Sequence, residues 1–273
     1  AIARISYGRF SVHDLAAEAT LIDGHLSLGN IDIASLNGVG ANLTGSIGDL
    51  GGNLDADVEI KVSTRRMRRL TDLLDLPRPA GDAGESPLNA YLTLKGGSKS
   101  YSFDGKADVG PTKLVGGGDV TDWRQEKPTL NIRGDIRNAS LANFAKQWGL
   151  ESWTPLQGAD APVALKGTFS GKADALAANW GADFAGGTLS VTGSVQNAFE
   201  ALAYQFSGTA RAPSFFRLFE GIGIQMQDSA ILDKAQDFQM TFRLDGSPER
   251  IRVEALSVRV GAMTLDGNAT MAL

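Results

Sequence analysis

The most regular feature of the chain is an alternation of apolar and polar residues with a period of two, which is typical of a β-strand with one buried face. Tyr204, Phe206 and Gly208 belong to one such series. The same alternation runs through residues 130–136, 163–169 and 238–244. Asp23-Gly24 lies between two strand patterns, where the tolerance of glycine for positive φ favours a tight hairpin turn. The sequence therefore predicts a mostly antiparallel β-structure.

Three short segments show the helical period instead, with apolar residues along one side. They are Ser63–Leu76, Ser140–Leu150 and Ser214–Ile222, and each begins at a residue type that favours a helix N-cap. Each follows a strand pattern. The sequence therefore predicts a unit of about four antiparallel strands followed by one helix.

The unit recurs along the chain. Four strand patterns carry a matching glycine, at Gly45, Gly118, Gly193 and Gly267, with spacings of 73, 75 and 74 residues. The transitions from strand to helix recur at the same interval. We therefore expect one elongated repeat domain over residues 1–273, with approximate units 1–76, 77–150, 151–224 and 225–273. The chain opens and stops within patterned sequence, which indicates a piece of a longer protein.

Three short helices are too few to cover the apolar side of some fourteen to sixteen strands. The sheet either folds over on itself with a dry core, or it keeps part of its apolar face open for a ligand. Stacked repeats favour an elongated, curved antiparallel sheet with a continuous concave face, which is a half-open groove. Glycine is about 12% of the residues, 33 of 273. Glycines within the apolar series are expected to let the sheet bend or to leave room for a slender ligand.

Composition excludes several kinds of chemistry. The net charge of −5 removes the positive surface expected of a nucleic-acid binder. The chain has no cysteine and only two histidines, His13 and His25, so thiolate and multi-histidine metal sites are not expected. No cofactor motif and no arrangement of catalytic residues stands out. We therefore predict a protein that is not an enzyme and that uses no metal or cofactor.

Several segments together resemble the AsmA-like proteins of Gram-negative bacteria, the family of repeating periplasmic β-groove proteins that includes AsmA and TamB. The resemblance rests on the glycine-bearing strand pairs, the helix Leu141–Leu150, the restart at Pro162–Gly167 and the run beginning Asp14-Leu-Ala-Ala-Glu. It covers most of the chain through degenerate motifs. It implies a half-open β-taco in the periplasm, held at the inner membrane by an anchor that lies outside this chain. It also implies transfer of phospholipid between the inner and outer membranes in support of outer-membrane integrity, with no catalytic residues.

The apolar series is the candidate lipid site, since each methylene that leaves water gains about 0.8 kcal/mol. From the residues alone, a dry sheet core is the favoured alternative, whereas the family resemblance favours a groove. The candidate groove-lining residues are Val163, Leu165, Trp180, Phe184, Val191, Tyr204, Phe206, Phe238, Met240 and Phe242.

Four arginines, Arg65, Arg66, Arg68 and Arg69, give the first helix a positive cluster. They are candidates for contact with anionic headgroups at a membrane surface. A solvated helix face opposite Met67 and Leu70 is the favoured alternative.

The sequence thus predicts a non-enzymatic, periplasmic lipid-binding or lipid-transfer segment, whose partners are a phospholipid and, in the longer protein, the membrane. The alternative is a structural or adhesive β-repeat scaffold with a dry core that binds protein or glycan.

Overall fold

The computed structural model describes residues 2–7, 10–48, 55–79, 81–150, 160–197, 202–224, 236–247 and 249–272. These residues form sixteen β-strands, three α-helices and one short 3-10 helix. The chain divides into two compact units: unit 1 is residues 1–123 with 146–150, and unit 2 is residues 124–145 with 151–273. The prediction of a mostly antiparallel β-structure with short helices is confirmed. That all four predicted repeats form a single domain stays a prediction.

Unit 1 is built on eight strands, each paired antiparallel with its neighbours in sequence. Helix α1 (Met67–Leu73) and the 3-10 helix (Gly81–Glu85) lie between its fifth and sixth strands. The strands are β1 (Ile2–Tyr7), β2 (Phe10–Ile22), β3 (His25–Leu36), β4 (Val39–Gly48), β5 (Asp55–Thr64), β6 (Leu88–Gly96), β7 (Ser100–Val109) and β8 (Thr112–Thr121).

Unit 2 repeats this arrangement with eight more strands in sequential antiparallel order. Helix α2 (Leu141–Gln147) follows its first strand, and helix α3 (Phe215–Gly221) follows its fifth. The strands are β9 (Thr129–Asn138), β10 (Val163–Lys172), β11 (Ala175–Phe184), β12 (Gly187–Gln196), β13 (Ala203–Ala212), β14 (Phe238–Ser247), β15 (Arg250–Val260) and β16 (Met263–Ala272).

The predicted repeat is present in the structure. The three α-helices begin at Met67, Leu141 and Phe215, at intervals of 74 residues, and all have the same length. Each first helical residue donates its backbone N–H to a carbonyl just before the next strand, namely Ser86, Ala161 and Gln236, at 2.8–2.9 Å. The four marker glycines lie on β4, β8, β12 and β16, which is every fourth strand. The repeat period is therefore four strands, and the start of each helix is tied in the same way.

The helices are shorter than the sequence predicted. Ser63 and Thr64 belong to β5, and Thr64 is buried in the sheet opposite Val39 and Leu88, so α1 begins only at Met67. Arg66 is its N-cap residue, without a side-chain hydrogen bond. In contrast, the Ser214 hydroxyl accepts a hydrogen bond from the Arg217 N–H, as expected of an N-cap.

Every strand of unit 2 presents one apolar and one polar face, because directly opposed residues of antiparallel strands project to the same side. One row of opposed residues across β10–β14 is Phe169, Ala178, Gly193, Phe206 and Leu244. The adjacent row on the other face is Thr168, Asn179, Thr192, Ser207 and Arg243. We refer to these two sides as the apolar face and the polar face.

A bulge in β15 keeps this separation intact. The apolar parity of the sequence changes after Val253, and the β15–β16 register shifts between Val253 and Leu256. Because a bulge adds residues to one strand only, Val253 and Leu256 both remain in line with the apolar face.

The most buried residues of unit 1 form one row across the strands. This row lies at the strand ends next to α1, and we call this side of the sheet the helix edge. Val39, Thr64, Leu88, Val109 and Thr112 oppose one another across β4–β8 and are all at most 8% exposed. Thr71 of α1 and Ala83 of the 3-10 helix are buried as well. The helical segments therefore cover one edge of the apolar face.

A buried polar contact closes this edge. The Thr112 hydroxyl donates to Gln147 Oε1 at 2.6 Å, and Gln147 Nε2 donates to the Val109 carbonyl at 2.7 Å. All three residues are at most 4% exposed. The amide of Gln147 thus satisfies a backbone carbonyl and a hydroxyl that the folded chain removes from water.

We predict that Gln147→Ala lowers the free energy of unfolding by about 2 to 4 kcal/mol, because it leaves two buried polar groups without this partner. Urea unfolding followed by circular dichroism measures the change. Gln196→Ala is the matched control, since Gln196 is an exposed residue at the end of β12. Equal unfolding midpoints for the two variants would contradict the structural role given to Gln147.

Candidate functional site

All ten residues predicted to line a groove lie on the apolar face of unit 2. Val163 opposes Phe184, and Trp180 opposes Val191, which is in line with Phe242 across Gly208. Phe206 and Tyr204 alternate along β13 on the same side. The period-two pattern alone located this face correctly. Whether these residues contact a lipid stays a prediction.

The helices cover about half of the predicted set. Val163, 5% exposed, is buried with Leu141 of α2, and Phe238, 8% exposed, lies under α3. The Phe238 ring centroid is 5.9 Å from that of Phe215 and 6.4 Å from that of Phe219. Leu165, Phe184 and Met240 pack against the same two clusters. These five side chains therefore stabilise the helix edge.

The remaining five lie away from that edge and are only half-buried. They belong to neither helix-packed cluster. Tyr204 and Phe206 stack on each other at 5.7 Å between centroids, and Trp180 contacts Phe169 at 5.4 Å. These five residues and Phe169, which is also half-buried, form a set that we call the open strip: Phe169, Trp180, Val191, Tyr204, Phe206 and Phe242.

At glycines next to the open strip, the space that a side chain would occupy is filled by aromatic rings of neighbouring strands. A Cβ added to Gly167 would collide with the Trp180 indole, and one added to Gly208 would collide with the Phe242 ring. Gly193 lies in the same way against Phe206. The expectation that missing side chains leave room for a ligand is therefore wrong at these positions. The rings lie over the backbone at these glycines.

Unit 1 has a similar apolar face, which the sequence analysis did not include in the candidate site. Leu43, Ile60 and Leu92 oppose one another across β4–β6, and all three are half-buried. Leu94 opposes Phe103 in an adjoining row. The same alternation marks these strands, so the signal was present in the sequence.

The polar face carries the charges. The ionisable side chains of β9–β15 project there, apart from Tyr204, and the apolar rows consist of aliphatic, aromatic and glycine residues together with Asn138. On the polar face, Arg137 makes two 2.8 Å hydrogen bonds to Asp135, which hold the pKa of that carboxyl below its ordinary value. Lys166 adds a weaker ion pair at 3.8 Å.

The arginine cluster is divided between two environments. Arg65 and Arg66 precede α1, and only Arg68 and Arg69 lie within it. Arg66 and Arg68 both pair with Glu85, at 3.5 and 2.5 Å. The Arg69 guanidinium lies against Gly38 in the β3–β4 turn. Three of the four side chains therefore have contacts within unit 1, while contact with headgroups stays a prediction.

The part of the chain that the structure describes contains no cluster of three or more histidine, aspartate or glutamate side chains arranged to hold a metal ion. Among the same residues, none of the helices has the length and apolar character needed to cross a bilayer.

Comparison with known proteins finds no matching family model, no matching curated protein and no matching solved structure. The resemblance to the AsmA-like family therefore rests on the sequence segments quoted above.

We predict that Gly167→Ala destabilises the protein by about 1 to 3 kcal/mol, because the added methyl group forces the Trp180 ring from its place. Gly181→Ala is the matched control, since the nearest atom to a Cβ there is 3.7 Å away, an ordinary contact. Thermal unfolding of the two variants measures the difference. A Gly167→Ala protein as stable as the control would show that the ring does not occupy this position.

Proposed function

We propose that this chain is a non-enzymatic lipid-binding segment of a periplasmic envelope protein, and that the apolar face carries phospholipid acyl chains. The observation that carries the proposal is the open strip on a face without charged residues. Large apolar side chains stand there half-buried in five consecutive strands, β10–β14, while the helices of unit 2 cover only one edge.

The dimensions of the open strip suit an extended hydrocarbon chain. Neighbouring strands are about 4.8 Å apart, so the strip extends for about 19 Å across β10–β14. This is comparable with the length of a long-chain acyl group. If eight methylenes leave water against the strip, the gain is about 6 kcal/mol before the entropy of ordering the chain is subtracted.

A charged headgroup does not need to enter this face. Because burying an unpaired charge is costly, the headgroup is expected to remain in water beyond the strip. A sheet that is covered along one edge only supports such a separation. Transfer between the inner and outer membranes, and an anchor outside this chain, are proposed on the family resemblance.

The second candidate is a structural or adhesive repeat scaffold with a dry apolar face. The rings that fill the glycine positions favour it, because they make the face continuous and reduce its depth. The two functions differ in what accompanies the purified protein. Organic extraction of protein made in bacteria and purified without detergent, followed by lipid mass spectrometry, is expected to give phospholipid at about one molecule per chain. Consistent absence of lipid would favour the scaffold.

We predict that Phe206→Asp or Phe242→Asp abolishes lipid loading, because a carboxylate on the open strip would have to lose its hydration against an acyl chain. Ser207→Asp and Thr241→Asp are matched controls, since they place the same charge on the exposed polar face one residue away. Lipid mass spectrometry of the four variants, with circular dichroism to verify folding, measures the effect. Unchanged loading in a folded Phe206→Asp protein would place the bound lipid elsewhere.

A further inference from the structure

A cavity of about 740 Å³ lies against unit 1, outside the apolar face. Its lining takes three consecutive residues from each of the six strands β3–β8. On β5 these are Lys61, Val62 and Ser63, and on β6 they are Asn89, Ala90 and Tyr91. The cavity therefore crosses the strands as a short channel over one narrow band of the sheet.

The register shows on which face the cavity opens. In each set of three, only the middle residue projects to the apolar face, whereas its two neighbours project to the polar face. The next residues on the apolar side, Leu43, Ile60 and Leu92, do not line the cavity. The cavity thus opens on the polar face, with the backbone of the middle residues as its floor.

Tyr91 stands between two lysines in this cavity. Lys61 opposes it on β5 and Lys106 opposes it on β7. Lys106 Nζ is 5.7 Å from the centre of the Tyr91 ring, within the range of a cation–π contact. Desolvation and a hydrogen bond to Glu59 raise the pKa of the Tyr91 hydroxyl. The ring therefore stands between two positively charged side chains.

Some lysines of unit 1 form ion pairs with carboxylates, whereas among the described residues those of the cavity do not. Lys95 forms an ion pair with Asp57 at 3.0 Å. Within the described part of the chain, Lys61, Lys106 and Lys113 form no ion pair with a carboxylate at 4.0 Å or less. Lys113 has the carboxylate of Asp108 directly opposite on β7, whereas neither Lys61 nor Lys106 has a carboxylate directly opposite on a neighbouring strand. The two lysines that flank Tyr91, in a chain with a net charge of −5, indicate a site for an anion.

The other polar groups of the cavity limit the kind of anion. Asn42, Ser63 and Asn89 offer amide and hydroxyl groups, and Asp32 and Asp108 offer carboxylates. Such groups suit a ligand with many hydroxyls. Two carboxylates beside the lysines disfavour a densely charged polyanion such as a nucleic acid.

We propose that this cavity binds a short acidic oligosaccharide, a chain of a few sugar rings that carry carboxylates. The apolar side of one ring stacks on Tyr91, its carboxylate lies near Lys61 or Lys106, and its hydroxyls bond to the neighbouring amides and carboxylates. The volume lies within the range of about 300 to 1,000 Å³ that is usual for small-ligand sites. The site lies in the other unit from the proposed lipid strip and shares no residue with it, so the proposal does not depend on lipid binding.

Isothermal titration calorimetry of the intact chain at low salt tests this, with trigalacturonic acid as the probe and neutral maltotriose as the comparison. We expect trigalacturonic acid to bind at least tenfold more tightly than maltotriose. We expect Lys61→Gln, Lys106→Gln and Tyr91→Ala each to weaken it at least tenfold, since each removes a charge or the stacking ring. Lys172→Gln, an exposed lysine of β10, is the matched control and should bind as the parent does.

Three results would overturn the proposal: no binding of trigalacturonic acid, equal binding of maltotriose, or equal affinity in the three cavity variants and the parent. Competition by inorganic phosphate at the same concentration as the trisaccharide would also overturn it, because it would show a simple anion site. Lipid loading of Lys61→Gln should equal that of the parent. That measurement keeps failure of the saccharide site distinct from failure of the lipid proposal.

Discussion

The constraint on which the rest of the structure depends is that short helices have to bury one side of a much larger antiparallel sheet and cannot cover all of it. The repeat recurs every four strands with an apolar face, and the three helices that accompany the described strands have only seven residues each. The free energy of hydrophobic burial grows with the area removed from water, so each helix stabilises most by covering the largest side chains within its reach. In unit 2 the side chains buried at the helices include Val163 and Phe238, whereas the aromatic side chains of the open strip remain half-buried. Because there are many strands for each short helix, the helices cover the sheet along one side only and leave the open strip uncovered.

The repeat is maintained by the backbone more than by side chains. The hydrogen bond from each helix start to the segment before the next strand recurs between different residue types, Met67 with Ser86 and Phe215 with Gln236. Because a backbone donor and acceptor are present at almost every position, substitutions within a repeat leave this tie intact. This explains how the intervals stay within one residue of 74 while few residues coincide between repeats.

The sequence was sufficient for features that depend on local periodicity and insufficient for those that depend on register. Alternation located the strands, and the glycine spacing gave the repeat. The start of α1 was predicted too early because Thr64 packs in the sheet instead of capping the helix. The placement of the Trp180 ring over Gly167, and of Lys61 beside Tyr91, joins residues from different strands. No pattern along a single strand specifies which residues will oppose one another.

The two faces of the sheet separate two kinds of chemistry that would interfere on one surface. A charge on the apolar face would lose hydration to any hydrocarbon placed there, whereas an apolar ligand on the polar face would gain little from charges that are already hydrated. Alternation along each strand solves this, since adjacent residues such as Phe206 and Ser207 face opposite environments while sharing one backbone. A substitution on one face therefore affects the other face only if it shifts the register of the strands. Because each strand is paired along most of its length, that register is strongly fixed. The polar cavity of unit 1 and the open strip of unit 2 share no residue, so each can be altered without a substitution in the other.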